Sequence, residues 1–187
     1  FVINDSYYGP ERYVPVSEYM RLWEPYERTY VPVYRPDQEP VVAAILGADW
    51  DPTENVARYI SEQREVVERN PSANTWMSLG YGLYRAGQYE EAVQAYAQAV
   101  EYGLSRRTLW YTAWPAASLN ALSRHTEALS LANAALGQNP ASSEMLLERG
   151  AALEGLGREA EAVDAYRLAA RYAPYLARAQ DALHNSQ

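Results

Sequence analysis

The side chains able to do chemistry are few and scattered. Cysteine and lysine are absent, so the chain as given holds no thiolate nucleophile or metal ligand and no Schiff-base or general-base lysine. The two imidazoles, His125 and His184, have no serine or acidic cluster at a useful spacing, and both are expected at the surface. Glu90, Glu91, Glu144, Glu148 and Glu154 supply carboxylates, yet no Asp-rich calcium loop and no His-Glu-x-x-His run occurs, so solvated helix faces account for them. Gly80 and Gly82 fall inside a helical pattern and cannot form a phosphate cradle. On these grounds no metal and no cofactor is expected. Asp5 stands apart, closing the apolar run Phe1-Val2-Ile3, where its local chemistry is an Asx-turn into Ser6-Tyr7.

The elements that must position these groups are read most clearly from Trp76 to Ala99. Trp76, Leu79, Gly80, Leu83, Gly87, Tyr89, Ala92, Tyr96 and Ala99 put apolar and small residues every three or four positions on two runs, with Gly87 between them. Two short amphipathic helices folded back on each other satisfy that pattern, and Gly80, Ala92 and Ala99 let their axes approach. The order of residues resembles the tetratricopeptide repeat. The frame that starts at Ala73 returns at Leu109 and again at Ser143. The second copy keeps Ala116, Leu119, Ala128, Ala135 and Pro140; the third keeps Leu146, Gly150, Leu153, Gly157, Ala162, Tyr166, Ala169 and Pro174. The second is the weakest alone, and its extra residues fall at Gly103 to Arg107, between helices, where an insertion costs little beyond loop entropy.

Flanking helices are expected on both sides. Pro40 to Leu46 forms a short helix ended by Gly47, and Asp51-Pro52 caps a longer one that runs to about Arg69 with Val56, Tyr59, Ile60, Val66 and Val67 on one face. The pair reads as a degenerate leading repeat over residues 39–71, and Tyr175 to about Leu183 closes the array, residues 72–187, at its other end. Helical spacing places Asn74, Met77, Tyr81 and Tyr84, then Trp110 and Trp114 with Ala113 and Ala117, then Glu144, Leu147 and Glu148 along a concave groove. Such a surface, aromatic with an acidic end, favours an extended peptide or an apolar helix. The alternative is that Tyr81, Tyr84, Trp110 and Trp114 are already covered by neighbouring repeats or by the chain's own Tyr-rich beginning. The array lacks the paired Lys, Asn and Arg with which some tetratricopeptide domains grip a C-terminal carboxylate, so that ligand class is not expected.

Residues 1–38 have a different character, carrying seven of the seventeen tyrosines and, with Pro40, six of the eleven prolines. Phe1-Val2-Ile3 reads as a strand end, Ser6-Tyr7-Tyr8-Gly9-Pro10 as a turn, Glu11 to Val14 as a returning strand, Glu18 to Trp23 as one helical segment capped by Ser17, and Thr29 to Tyr34 as an edge strand because of Pro32. This is too little to form a core, and it needs a partner sheet. The words Val2-Ile3-Asn4-Asp5-Ser6-Tyr7-Tyr8-Gly9-Pro10, Tyr19 and Trp23, and Arg28-Thr29-Tyr30-Val31-Pro32-Val33-Tyr34 resemble the final third of a papain-like cysteine peptidase domain of the double-glycine leader peptidase type and its secreted relatives. Gly103-Leu104, Arg106-Arg107 and Leu109-Trp110-Tyr111 are similar to the corresponding turn in relatives that carry tetratricopeptide repeats behind the peptidase. The resemblance implies a catalytic Cys in an Asn-Cys-Gly segment, a His, and an Asp that orients the imidazole; Asp5 matches the last, and the first two have no counterpart here. It also implies export from a bacterial cytoplasm.

Composition bounds the rest. With 187 residues and 48% hydrophobic content the chain can bury a core. A net charge of −8 and the absence of a clustered basic patch argue against nucleic acid and anionic membrane surfaces as partners. The start at Phe1, without a basic n-region or a long apolar run, reads as a piece of something longer rather than a signal peptide or a membrane span. The expected fold is mainly α, a tetratricopeptide-type solenoid of about three repeats with flanking helices and a small N-terminal β segment from a papain-like α+β domain. The expected function is a protein-interaction module that presents a substrate or partner protein to that domain. This chain alone is not expected to catalyse, for want of the Cys and His. The rival expectation is an exported scaffold whose residues 1–38 pair with a neighbouring chain by strand addition.

Overall fold

The computed structural model describes residues 2–5, 9–13, 15, 17–18, 34–110 and 112–185. The turn over Ser6-Tyr7-Tyr8, and most of the helix over Glu18 to Trp23 and of the strand over Thr29 to Tyr34, lie outside those residues. The chain divides into two compact units, Phe1–Trp50 and Asp51–Gln187.

In the first unit, β1 (Val2–Asp5) pairs antiparallel with β2 (Gly9–Tyr13), with Val2 opposite Tyr13 and Asp5 opposite Gly9. Helix α1 (Glu39–Leu46) has Pro40 in its first turn and stops at Gly47, whose φ of +57° favours a residue without Cβ. It buries none of its residues, and Val41 and Ile45 are exposed. The boundary at Trp50 therefore separates the two helices that the sequence pattern read together as a leading repeat.

The second unit is a helical-hairpin solenoid. Helix α2 (Pro52–Arg69) begins where the Asp51 carboxylate accepts the backbone N–H groups of Thr53 at 2.7 Å and Glu54 at 3.0 Å, satisfying donors that the first turn leaves unpaired. Three hairpins follow: α3 (Ala73–Arg85) with α4 (Tyr89–Glu101), α5 (Trp114–Ala121) with α6 (His125–Leu136), and α7 (Ser143–Gly155) with α8 (Glu159–Tyr172). Helix α9 (Ala177–Asn185) packs on α8. Ser72 and Thr75 cap α3 reciprocally, each side chain bonding the other's backbone N–H. Core residues come from adjoining hairpins: Ile60 and Val67 of α2 lie with Met77, Leu79 and Leu83 of α3, Ala92, Ala95 and Ala99 of α4 and Trp114 of α5, while Leu146, Leu147 and Leu153 of α7 lie with Ala162, Tyr166 and Ala169 of α8 and Ala179 of α9.

Each hairpin turns in the same way. Gln88 donates to the Leu83 carbonyl, Arg124 to Leu119 and Arg158 to Leu153, and the residue before each donor has positive φ: Gly87 at +74°, Ser123 at +59° and Gly157 at +72°. Ser123 is the one residue other than glycine with positive φ among those described, at a site where the sibling turns use glycine. Ser123→Gly is therefore expected to stabilise the protein by about 1 kcal/mol, the left-handed strain relieved less the entropy glycine loses on folding. Chemical denaturation followed by circular dichroism checks this, and a midpoint that falls would contradict it.

Candidate functional site

The first helices of the hairpins form a wall. Helix α3 meets α5 and α5 meets α7, while α4 packs against α5 and α6 against α7. Close approach is made possible at Gly80, where an added Cβ would lie 2.5 Å from Trp114 Cη2 and 3.3 Å from Ala95 Cβ. Ala113, before α5, packs against the cluster of Leu109, Ala116 and Met145, while Ala117 is half-buried and Ala121 exposed.

The residues that sequence spacing placed along the groove separate by burial. Asn74 and Glu144 are exposed; Tyr81, Tyr84 and Trp110 are half-buried; Met77, Trp114, Leu147 and Glu148 are buried, so their contacts are with the array itself. The Trp114 ring stacks on Tyr84 at 6.4 Å between centroids and meets Tyr96 edge-on at 6.2 Å. Arg85 lies 5.9 Å from the Tyr81 ring centroid and Arg107 5.6 Å from that of Trp110. Burial raises the Tyr84 phenol above its ordinary 10.0, with the Arg178 charge opposing and the Glu148 charge adding to the shift. Asp5 lies in β1 opposite Gly9, in the other unit.

Glu148 corrects the expectation that the carboxylates sit on solvated faces. It is 3% exposed, and among the described residues it is the one buried charged residue. Asn120 Nδ2 donates both to its backbone carbonyl at 2.8 Å and to its Oε2 at 3.1 Å, and Arg178 donates to Oε1 at 3.2 Å. His125, expected at the surface, is half-buried, its ring filling the space over Gly155. Its Nδ1 lies 3.5 Å from Asn120 Oδ1, and because that oxygen can only accept, this nitrogen carries the proton when the contact forms. Asn120, Arg178 and His125 were missed as a group because they come from α5, α9 and the start of α6. One signal was available: Glu148 follows Trp114 by one repeat, so both occupy the same inward register.

Burial pushes the Glu148 carboxyl above the ordinary glutamate value of 4.5, with Asn120 and Arg178 pulling it down by less. A folded-state pKa above the unfolded one contributes stability at low pH that is lost as pH rises through the raised value. Glu148→Gln and the wild type should therefore be equally stable near pH 4, and the Gln variant should move ahead as the pH is raised. Thermal melts across that range read the difference, and a wild type that gains on the variant would refute the assignment.

A separate cleft of about 670 Å³ opens between the first half of α2 and the α3–α4 turn, with Val56 and Ile60 as apolar lining and Arg64 and Arg85 beside them. Arg64 is already paired with Glu91 at 2.6 Å. Among the described residues no group of three His, Cys, Asp or Glu side chains is placed to hold a metal ion, and no helix is long and apolar enough to cross a membrane. The wall thus carries the half-buried Tyr81 and Tyr84 and one buried carboxylate with a cation over it.

Tetratricopeptide-repeat family models match residues 73–103 and 116–182. No curated protein matches the chain. Among solved structures, one named "MamA MSR-1 C2" superposes with a TM-score of 0.57 at 15% identity, covering 80% of this chain and 85% of its own, which is a likeness of fold.

Proposed function

Because residues 73–103 and 116–182 make this chain a member of the tetratricopeptide-repeat family, and so a protein-interaction module, we propose that its α3–α5–α7 wall receives a polypeptide segment and presents it to a papain-like peptidase domain whose closing part is residues 1–38. The observation that carries the binding half is the wall's half-buried Tyr81 and Tyr84, rigid aromatic faces. The peptidase half is supported by the resemblance of residues 2–10 and 28–34. In that reading Asp5 is the third catalytic member, orienting an imidazole that upstream sequence or another chain supplies along with the thiol.

Peptide cleavage by a chain that includes the upstream sequence tests both halves. Asp5→Ala should lower kcat by about four orders of magnitude, the loss seen when such a carboxylate is removed from a triad. Tyr81→Ala with Tyr84→Ala should raise KM and leave kcat in place. Unchanged turnover in the first variant removes Asp5 from the mechanism, and an unchanged KM in the second removes the wall.

A second reading, a non-catalytic exported scaffold, is favoured by one observation: among the described residues β1 pairs with β2 and with no other strand. Residues 1–38 would then add a strand to a neighbouring chain. Sedimentation of the full chain separates the readings, since a monomer at all concentrations excludes strand exchange.

A further inference from the structure

We propose that Arg178 is the array's own stand-in for a basic side chain of the bound partner, and that the Glu148 carboxylate is where an arginine of that partner is received. The inference rests on the wall as the binding face and names the chemistry that face selects. A carboxylate buried this deeply must keep either a proton or a cation. One side of Glu148 is closed, because Asn120 holds both Oε2 and the backbone carbonyl of the same residue. The other oxygen, Oε1, is met by a guanidinium whose side chain is 66% exposed, so the cation reaches it from solvent. Returning such a side chain to water costs little, whereas leaving the carboxylate bare costs much, so one cation can replace another where no cation could simply leave.

Two further observations favour a guanidinium as the replacement. Tyr84 sits within the field of both Arg178 and Glu148, and its neighbour Tyr81 already takes the Arg85 guanidinium at 5.9 Å from its ring, so the wall accepts planar cations on aromatic faces. The chain's net charge of −8 draws a basic segment toward the surface before contact. Arg178 then acts as an intramolecular competitor carried by the terminal helix, lowering the apparent affinity by the fraction of time it occupies the carboxylate.

Isothermal titration of the full chain with N-acetyl-arginine amide tests this, with N-acetyl-citrulline amide as the neutral isostere. Arg178→Ala should bind the arginine amide more tightly than the wild type, by about tenfold for a competitor that holds the carboxylate about nine-tenths of the time. Adding Glu148→Gln should abolish that binding, and the citrulline amide should not bind. Equal binding by wild type and Arg178→Ala, equal binding of the two amides, or no binding by either protein overturns the proposal. If Arg178→Ala loses helical signal, Arg178→Gln keeps part of the aliphatic stem and serves the same comparison. A peptide whose binding needs Tyr81 and Tyr84 but ignores Arg178 would leave the wall in place and remove this inference alone.

Discussion

Trp114→Ala is expected to destabilise the array by about 3–5 kcal/mol, the cost of emptying a large aromatic site in a core that cannot collapse. The indole is 4% exposed and comes from α5, a helix of eight residues that otherwise meets the first hairpin through smaller side chains, Ala116 near Tyr96 and Leu119 near Val93. Its ring enters the notch left by Gly80 and packs between Tyr84 and Tyr96. Because hairpins in such an array are held by their neighbours, the loss should also broaden the urea transition or split it in two. Trp114→Phe is a sharper check. The indole Nε1 has no hydrogen-bond partner among the described residues, so phenylalanine forfeits area alone, about 1–2 kcal/mol. Equal losses for Phe and Ala would mean that the notch at Gly80 is not what Trp114 fills.

Gly150→Val is expected to cost about 3 kcal/mol, the upper end of the penalty for overpacking. A Cβ at position 150 would overlap the Tyr166 ring, which is 2% exposed and has its hydroxyl tied to Glu154 Oε2 at 2.7 Å, so the ring is held at both ends. Combining the change with Tyr166→Ala gives a signature that a generic destabilisation does not. The valine then fills room the tyrosine has vacated, and the double variant should be more stable than the sum of the two single losses predicts, with a coupling of about 1–3 kcal/mol. Strict additivity in denaturation experiments would contradict the contact.

Gly80, Gly150 and Ala92 were legible in the sequence as places where helices approach, because close packing demands small residues and the repeat brings them back in register. Ser123 was not, since serine has no preference for positive φ, and only the backbone shows it doing what Gly87 and Gly157 do. The wall was legible only as to which helices form it. Periodicity counts a glutamate as solvent-facing, but Glu148 owes its burial to Asn120 and Arg178, 28 and 30 residues away in the chain. Local pattern cannot register partners at that separation. The same holds for Trp114, which helical spacing put along the groove with cover by a neighbouring repeat as the alternative, and whose ring lies in the notch at Gly80. In the short helix ended by Gly47, the bounds were legible from Pro40 and the glycine, while the exposure of Val41 and Ile45 is seen only in the structure.

The common geometry of the three turns bears on how the protein is made. Each hairpin closes through bonds between residues only a few positions apart, from Leu83 to Gln88, Leu119 to Arg124 and Leu153 to Arg158. Little chain entropy is lost in closing such short loops, so each pair of helices can assemble as soon as it clears the ribosome, without waiting for the segments behind it. The Arg178–Glu148 contact is of a different kind, joining α9 to α7 across 30 residues, so until α9 has been made the carboxylate on α7 waits without this cation.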